Sequence, residues 1–165
     1  MIIRRLSAAD GGAFFELRRA AILAGCAGSY PAKDLERWTA PSAEDQLDVP
    51  VPEHFYGGWQ ERTLIASGML GASTGRIDAV FVGPSLQGRG IGTAIMNHLQ
   101  AIAQDLGVPA LRLDATLNAV PFYRSLGFVE AGRAQFRSPR GVILDCVSML
   151  KNMQPVARGL AATGG

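Results

Sequence analysis

Three features of the 165-residue chain predict an α+β fold, a single central mixed sheet of about six to seven strands flanked by about four helices. β-branched and aromatic runs bounded by Gly, Pro and polar clusters recur along most of the length. Residues 91–106 carry apolar side chains at helical spacing, and a glycine-rich loop joins a strand to that helix. One domain suffices for this length. Residues 1–151 are expected to fold as a unit, with residues 152–165, rich in Pro, Ala and Gly, as a flexible tail.

Taken in order, residues 2–6 read as a first strand. Ser7 and Asp10 offer oxygens to the unpaired N–H groups of a helix start, and Phe14, Leu17 and Ala21 then recur on one face until Gly25 and Gly28 end the pattern. Residues 29–53 are rich in Pro, Ser and Asp, and a short helix over 33–39 would turn Leu35 and Trp38 inward. Residues 55–60 and 63–70 form two strands joined by the polar turn Gln60-Glu61-Arg62. After the turn over 71–75 comes the strand 76–82. The helix over 91–106 places Ile91, Ile95, Leu99, Ile102 and Leu106 on one buried face and ends at Gly107, with Pro109 beyond it. Residues 110–114 form a strand and 119–126 a short helix, and 128–134 pairs with 142–150 through the turn at 138–141.

Charge is nearly balanced, with 16 basic against 14 acidic residues and no run of one sign, so neither nucleic acid nor an anionic membrane is an expected partner. No apolar stretch reaches the length that spans a bilayer, and the chain reads as soluble and cytoplasmic. Cys26 and Cys146 are far apart and match no metal-ligand spacing. Both are expected as free thiols, Cys146 buried and inert, and no metal is expected.

Gln87, Gly88, Arg89, Gly90, Ile91, Gly92 and Thr93 follow a β-branched run and open a helix. Such a loop presents successive backbone N–H groups to an anion, because glycine allows close approach and the first helical turn has unpaired donors at the positive end of the dipole. The ligand should carry phosphates. A dinucleotide fingerprint would need a third glycine where Thr93 stands, and no acidic residue closes a second strand about twenty residues on. A nucleotide-hydrolysing loop would need a lysine at the helix start, whereas the lysines are Lys33 and Lys151.

The Gln-x-x-Gly-x-Gly pattern of Gln87 to Gly92 resembles the acetyl-CoA pyrophosphate loop of the GNAT superfamily of N-acetyltransferases. About thirty residues on, Asn118, Phe122, Tyr123, Gly127 and Phe128 follow a strand in a pattern similar to the family's second cofactor motif. The resemblance is strong between residues 76 and 128 and extends at pattern level from about 2 to 150. It implies a sheet that splays at the cofactor site and acetyl-CoA as co-substrate. The implied reaction is direct transfer of an acetyl group to a primary amine of a small molecule. Protein N-terminal or lysine acetylation and a non-catalytic CoA-binding module are the alternatives, and a homodimer is a compatible assembly.

Several roles come with the resemblance. Gln87, Gly88, Arg89, Gly90, Ile91, Gly92 and Thr93 would hold the pyrophosphate. The main chain of Val80, Phe81 and Val82 would bond the pantetheine arm, with the N–H near Val82 facing the developing oxyanion. Asn118, beside Phe122, would bond the cofactor amide, unless it caps a helix. Tyr123 matches the tyrosine that protonates the leaving thiolate. A phenol, with an ordinary pKa of about 10, carries that proton at neutral pH. Some relatives have a glutamate where this chain has Arg76, so the general base cannot be carried over. Asp78, on the same strand face as Arg76, is the candidate, with Asp114 or a water chain as substitutes and an ion pair with arginine as the competing role. Tyr30, Trp38 and the loop to His54 are candidates for shaping the acceptor pocket. His98 is expected at the surface.

Overall fold

The computed structural model describes residues 1–41 and 54–154. Its elements are β1 (Ile2–Arg5), α1 (Gly11–Gly25), α2 (Ala32–Thr39), β2 (Phe55–Gln60), β3 (Thr63–Gly71), β4 (Arg76–Val82), α3 (Ile91–Asp105), β5 (Ala110–Thr116), α4 (Val120–Ser125), β6 (Val129–Arg137) and β7 (Ile143–Asn152). The seven strands make one mixed sheet in the order β1-β2-β3-β4-β5-β7-β6. Among the described residues its only parallel neighbours are β4 and β5, joined by a crossover through α3, as parallel strands require.

Side-chain alternation along the strands builds a core on each face. On one face, Ile77, Leu111 and Leu113 pack against Ile95, Met96 and Leu99 of α3 and Tyr123 of α4. On the other, α1 sets Phe14 and Leu17 against Leu6, Phe55 and Leu64, while Ile22 and Cys26 join Leu35 and Trp38 of α2 against Val142 and Leu144. Ile95, Leu99 and Leu111 are wholly buried. Each such side chain contributes about 1.5–3 kcal/mol by leaving water.

Two local devices open the sheet between β4 and β5. These strands register at a single pair, Arg76 with Arg112, reinforced by the Arg112 N–H donating to the Gly75 carbonyl at 2.9 Å. Beyond it they part. On its other side β4 bulges: Ser67 pairs with Phe81 and Met69 with Asp78, so Ala79 and Val80 stand opposite the single residue Gly68. Ala79 takes a left-handed φ of 54°, which costs a non-glycine residue about 1–2 kcal/mol. The wholly buried Ser67 donates its hydroxyl to the Ala79 carbonyl at 3.4 Å and holds the kink.

The element order matches the sequence expectation, and the boundaries move. β5 runs on to Thr116, and β6 reaches Arg137 because its pairing with β7 continues to Ile143. β7 extends to Asn152, and the Met153 N–H donates to Pro109, so the order passes the expected boundary at 151. The rest of the expected tail, from 155, lies outside the described residues, as do residues 42–53 of the loop to His54. Leu106 is a correction: expected on the buried face, it stands just past the end of α3 and is 58% exposed. The buried face is completed by Ala103 instead.

Gly75 sits at φ 68°, and a Cβ there would lie 2.2 Å from the Ala110 carbonyl oxygen. Gly75→Ala should therefore lower unfolding free energy by roughly 2–4 kcal/mol in chemical denaturation, combining backbone strain with a backbone clash. A change below about 0.5 kcal/mol would mean that this contact does not anchor β5 to β4.

Candidate active site

The loop between β4 and α3 supplies the first wall of a cleft. Gly88 and Gly90 adopt φ of 73° and 77°, conformations that L side chains rarely take, and a Cβ on either would meet no protein atom within 4 Å. The space before the loop is thus open to a ligand. No side chain caps α3 at Gly90, which leaves the N–H groups of its first turn, Ile91, Gly92 and Thr93, without an intrahelical acceptor. These features fit a pyrophosphate. Gly92 has a different reason to be glycine: a Cβ would lie 3.2 Å from Phe122 and 3.4 Å from Val82, so it lets α3 close against α4 and β4.

The second wall is the parted edge of β4. The Gly83 N–H donates to the Ile65 carbonyl at 2.9 Å, so Ala66 and Val82 form a non-hydrogen-bonded antiparallel pair. Val82 therefore turns its own N–H and C=O away from β3, toward the gap before β5. By the same alternation Phe81 directs its main-chain groups to Ser67, which corrects the expectation that they bond the cofactor. Phe81 still lines the cleft, with its ring beside Phe14 of α1. Val80 lies in the bulge and lines the cleft beside it.

The cleft, about 560 Å³, brings together Val80, Phe81, Val82, Gln87, Gly88, Gly90, Gly92, Thr93, Asn118, Phe122 and Tyr123. Arg89 is exposed and lies outside it, and Ile91 packs on the core and is not among its lining residues. Asn118 is released from the capping role, since Ala119 occupies the N-cap position of α4 and no side chain caps that helix. Tyr123 is 8% exposed, its ring edge-on to Phe122 and Phe128. Burial, with a smaller push from the charge of Asp78, raises its phenol well above the ordinary tyrosine range and keeps it protonated.

A family model described as an acetyltransferase (GNAT) domain matches residues 26–141, more than half of the chain. The chain belongs to the GNAT acetyltransferase family. It has the GNAT fold, and it spans less than half the length of the curated relatives it matches. Over 58 residues it is 38% identical to glucosamine 6-phosphate N-acetyltransferase of Trypanosoma brucei brucei, a stretch covering 35% of this chain and 40% of that relative. A GCN5-related N-acetyltransferase of Rhodopseudomonas palustris superposes with a TM-score of 0.83 at 21% identity, covering 92% of this chain and 95% of the other. The PaiA N-acetyltransferase of Thermoplasma acidophilum, solved with coenzyme A, superposes at 0.67 with 20% identity, covering 92% and 98%.

At the foot of the splay the GNAT domain carries a charge network. Arg76 holds Asp78 through Nε at 3.2 Å and Asp114 through a terminal guanidinium nitrogen at 2.9 Å, and the Ser148 hydroxyl donates to Asp114 at 2.6 Å. Asp78 and Arg76 do share a face, as expected, but neither lines the cleft. Burial raises the Asp78 carboxyl above its ordinary range against the pull of Arg76. Burial acts on Asp114 in the same sense, but its bonds to Ser148 and Arg76 outweigh it and hold the group low. The geometry therefore favours the ion-pair role for Asp78 over that of a base.

The remaining candidates separate clearly. Trp38 lines the cleft, whereas Tyr30 is a clamp: its hydroxyl donates to the Asp145 carbonyl at 2.6 Å and accepts the Leu117 N–H at 2.9 Å. His54 is exposed, and His98 is half-buried, edge-on to Tyr56. Cys146 and Cys26 are free and buried, and Cys26 lines the cleft. Sequence reasoning missed the wall from α1, made of Ala21, Ile22, Gly25 and Cys26. A Cβ at Gly25 would lie 3.6 Å from Gln87 Nε2 and 3.8 Å from Asn118 Nδ2. The signal available was the small-residue run at the end of α1, which also suits simple packing.

If Asp78 serves Arg76 and not the amine, Asp78→Asn should preserve the acidic limb of the kcat/KM profile and keep acetyl-CoA affinity within about threefold. Disappearance of that limb would return Asp78 to proton transfer.

Proposed function

We propose that this acetyltransferase moves an acetyl group from acetyl-CoA directly to a primary amine of a small molecule. The observation that carries this reading is the limited size of the cleft, about 560 Å³, and its partly apolar lining. Ile22 and Trp38, both buried and packed with Val142 and Leu144, contribute to that lining. A small amine fits such a space beside the cofactor, whereas an extended peptide needs a groove. The partial match to a relative named for an amino-sugar phosphate supports the same class.

Acetyl-CoA supplies the thioester, whose carbonyl carbon is the electrophile and whose sulfur leaves as a thiolate. The chain's own residues supply position, polarisation and a hydrogen-bond donor. N–H groups from Gly88 to Thr93 bind the pyrophosphate, with Gln87 at the rim, and the Asn118 amide bonds the pantetheine arm. The Val82 N–H points where negative charge grows on the carbonyl oxygen. No carboxylate or imidazole lines the cleft among the described residues, so the amine loses its proton to water. The acidic limb of kcat/KM then follows the pKa of the amine itself.

Tyr123 is the hydrogen-bond donor for the departing sulfur. The order of pKa values opposes complete transfer, since a phenol at about 10 is a weaker acid than a thiol at about 8.5, and burial weakens it further. The same apolar surroundings raise the proton affinity of a thiolate, which narrows the gap. Tyr123 thus acts as a hydrogen-bond donor that stabilises the thiolate as it forms, and the thiolate takes its proton from water as the product leaves.

Release of free thiol from acetyl-CoA, followed with a mixed panel of primary amines, tests this reading. Amine-dependent release is expected, and Tyr123→Phe should lower turnover by about 10²-fold while acetyl-CoA affinity stays within a few-fold. Saturable binding without amine-dependent thiol would identify a binding module. Acetylation confined to peptide N-termini or lysines would move the substrate class to proteins.

A further inference from the structure

We infer that the acceptor carries its amine on an uncharged, apolar body, an arylalkylamine or alkylamine without phosphate or carboxylate. This rests on the small-molecule reading above and narrows it. Outside the two cofactor motifs the lining of the cleft includes the apolar Ala21, Ile22, Cys26, Trp38 and Phe81, with Thr116 beside Cys26 as a polar neighbour. Among the described residues, no Asp, Glu, Lys, Arg or His lines the cleft at all. An aromatic ring or alkyl chain entering this space leaves water for apolar contact with Trp38, Phe81 and Ile22. A phosphate or carboxylate there would lose its hydration with no cation to replace it.

The cations nearest Trp38 are committed elsewhere. Arg18 and Arg140 each donate to the Trp38 main-chain carbonyl at 3.3 Å, and the Arg18 guanidinium lies 5.6 Å from the indole centroid. Arg19 bonds Thr39 and pairs with Glu36, and Arg37 donates to the Arg140 carbonyl. These contacts fasten α2 to α1 and to the turn before β7 and place none of the four guanidinium groups among the cleft's lining residues. Residues 42–53 include Glu44, Asp45, Asp48 and Glu53 and contain no Lys or Arg, so their composition adds no partner for an anion. The donors of the phosphate loop are already assigned to the pyrophosphate of acetyl-CoA.

The test compares kcat/KM of the unmodified enzyme at saturating acetyl-CoA for 2-phenylethylamine, for phenylalanine, which adds a carboxylate to the same skeleton, and for glucosamine 6-phosphate. A preference for 2-phenylethylamine of about 10²-fold or more over both is expected. Equal or better use of phenylalanine or glucosamine 6-phosphate would overturn the inference and leave the small-molecule reading in place. Acetylation of peptide amines with none of the three turned over would overturn the reading as well.

Discussion

Two neighbouring strands that touch at one pair and then separate set the terms for the rest of this molecule. A gap inside a sheet exposes main-chain N–H and C=O groups that water or a ligand must satisfy. Here the gap starts at the Arg76 and Arg112 pair, is fastened by the Gly75 carbonyl, and is widened by the bulge at Ala79. The left-handed conformation of Ala79 persists because Ser67 bonds its carbonyl and the flanking residues are packed on both faces. Val82 is left with its polar groups turned into the gap, at the strand end that feeds the phosphate loop.

The site divides its work between backbone and side chains. The loop, the first turn of α3 and Val82 present backbone groups that no helix or ladder partner takes up. Side chains of α1 and α2 add an uncharged, largely apolar lining to the cleft. The charged groups that look catalytic in sequence lie below the cleft, where Arg76 ties β4 to Asp114 of β5 and resists further parting of the strands. Such a network ties β4 to β5 at the foot of the splay.

The two motifs that resemble the cofactor site were legible because their function rests on backbone conformation. Gly88 and Gly90 must be glycine at positive φ, and a strand leading into such a loop leaves little choice of geometry. Helix α3 was legible from its period, and Leu106 was misplaced because the period says where a face lies and not where the last turn ends. The role of Phe81 depended on ladder parity, which the inserted bulge residue alters and composition does not encode. Asp78 looked available because a sequence cannot say that Arg76 reaches both it and Asp114 from the next strand. The α1 wall escaped notice because small residues at a helix end carry no chemistry of their own.

Amide hydrogen exchange with and without acetyl-CoA tests most directly whether the parted strand and the uncapped helix form the cofactor site. Exchange should slow at Val82 and at Ile91, Gly92 and Thr93 when acetyl-CoA is added, with β6 unchanged. Unaltered exchange at these amides, with slowing concentrated elsewhere in the chain, would contradict the account.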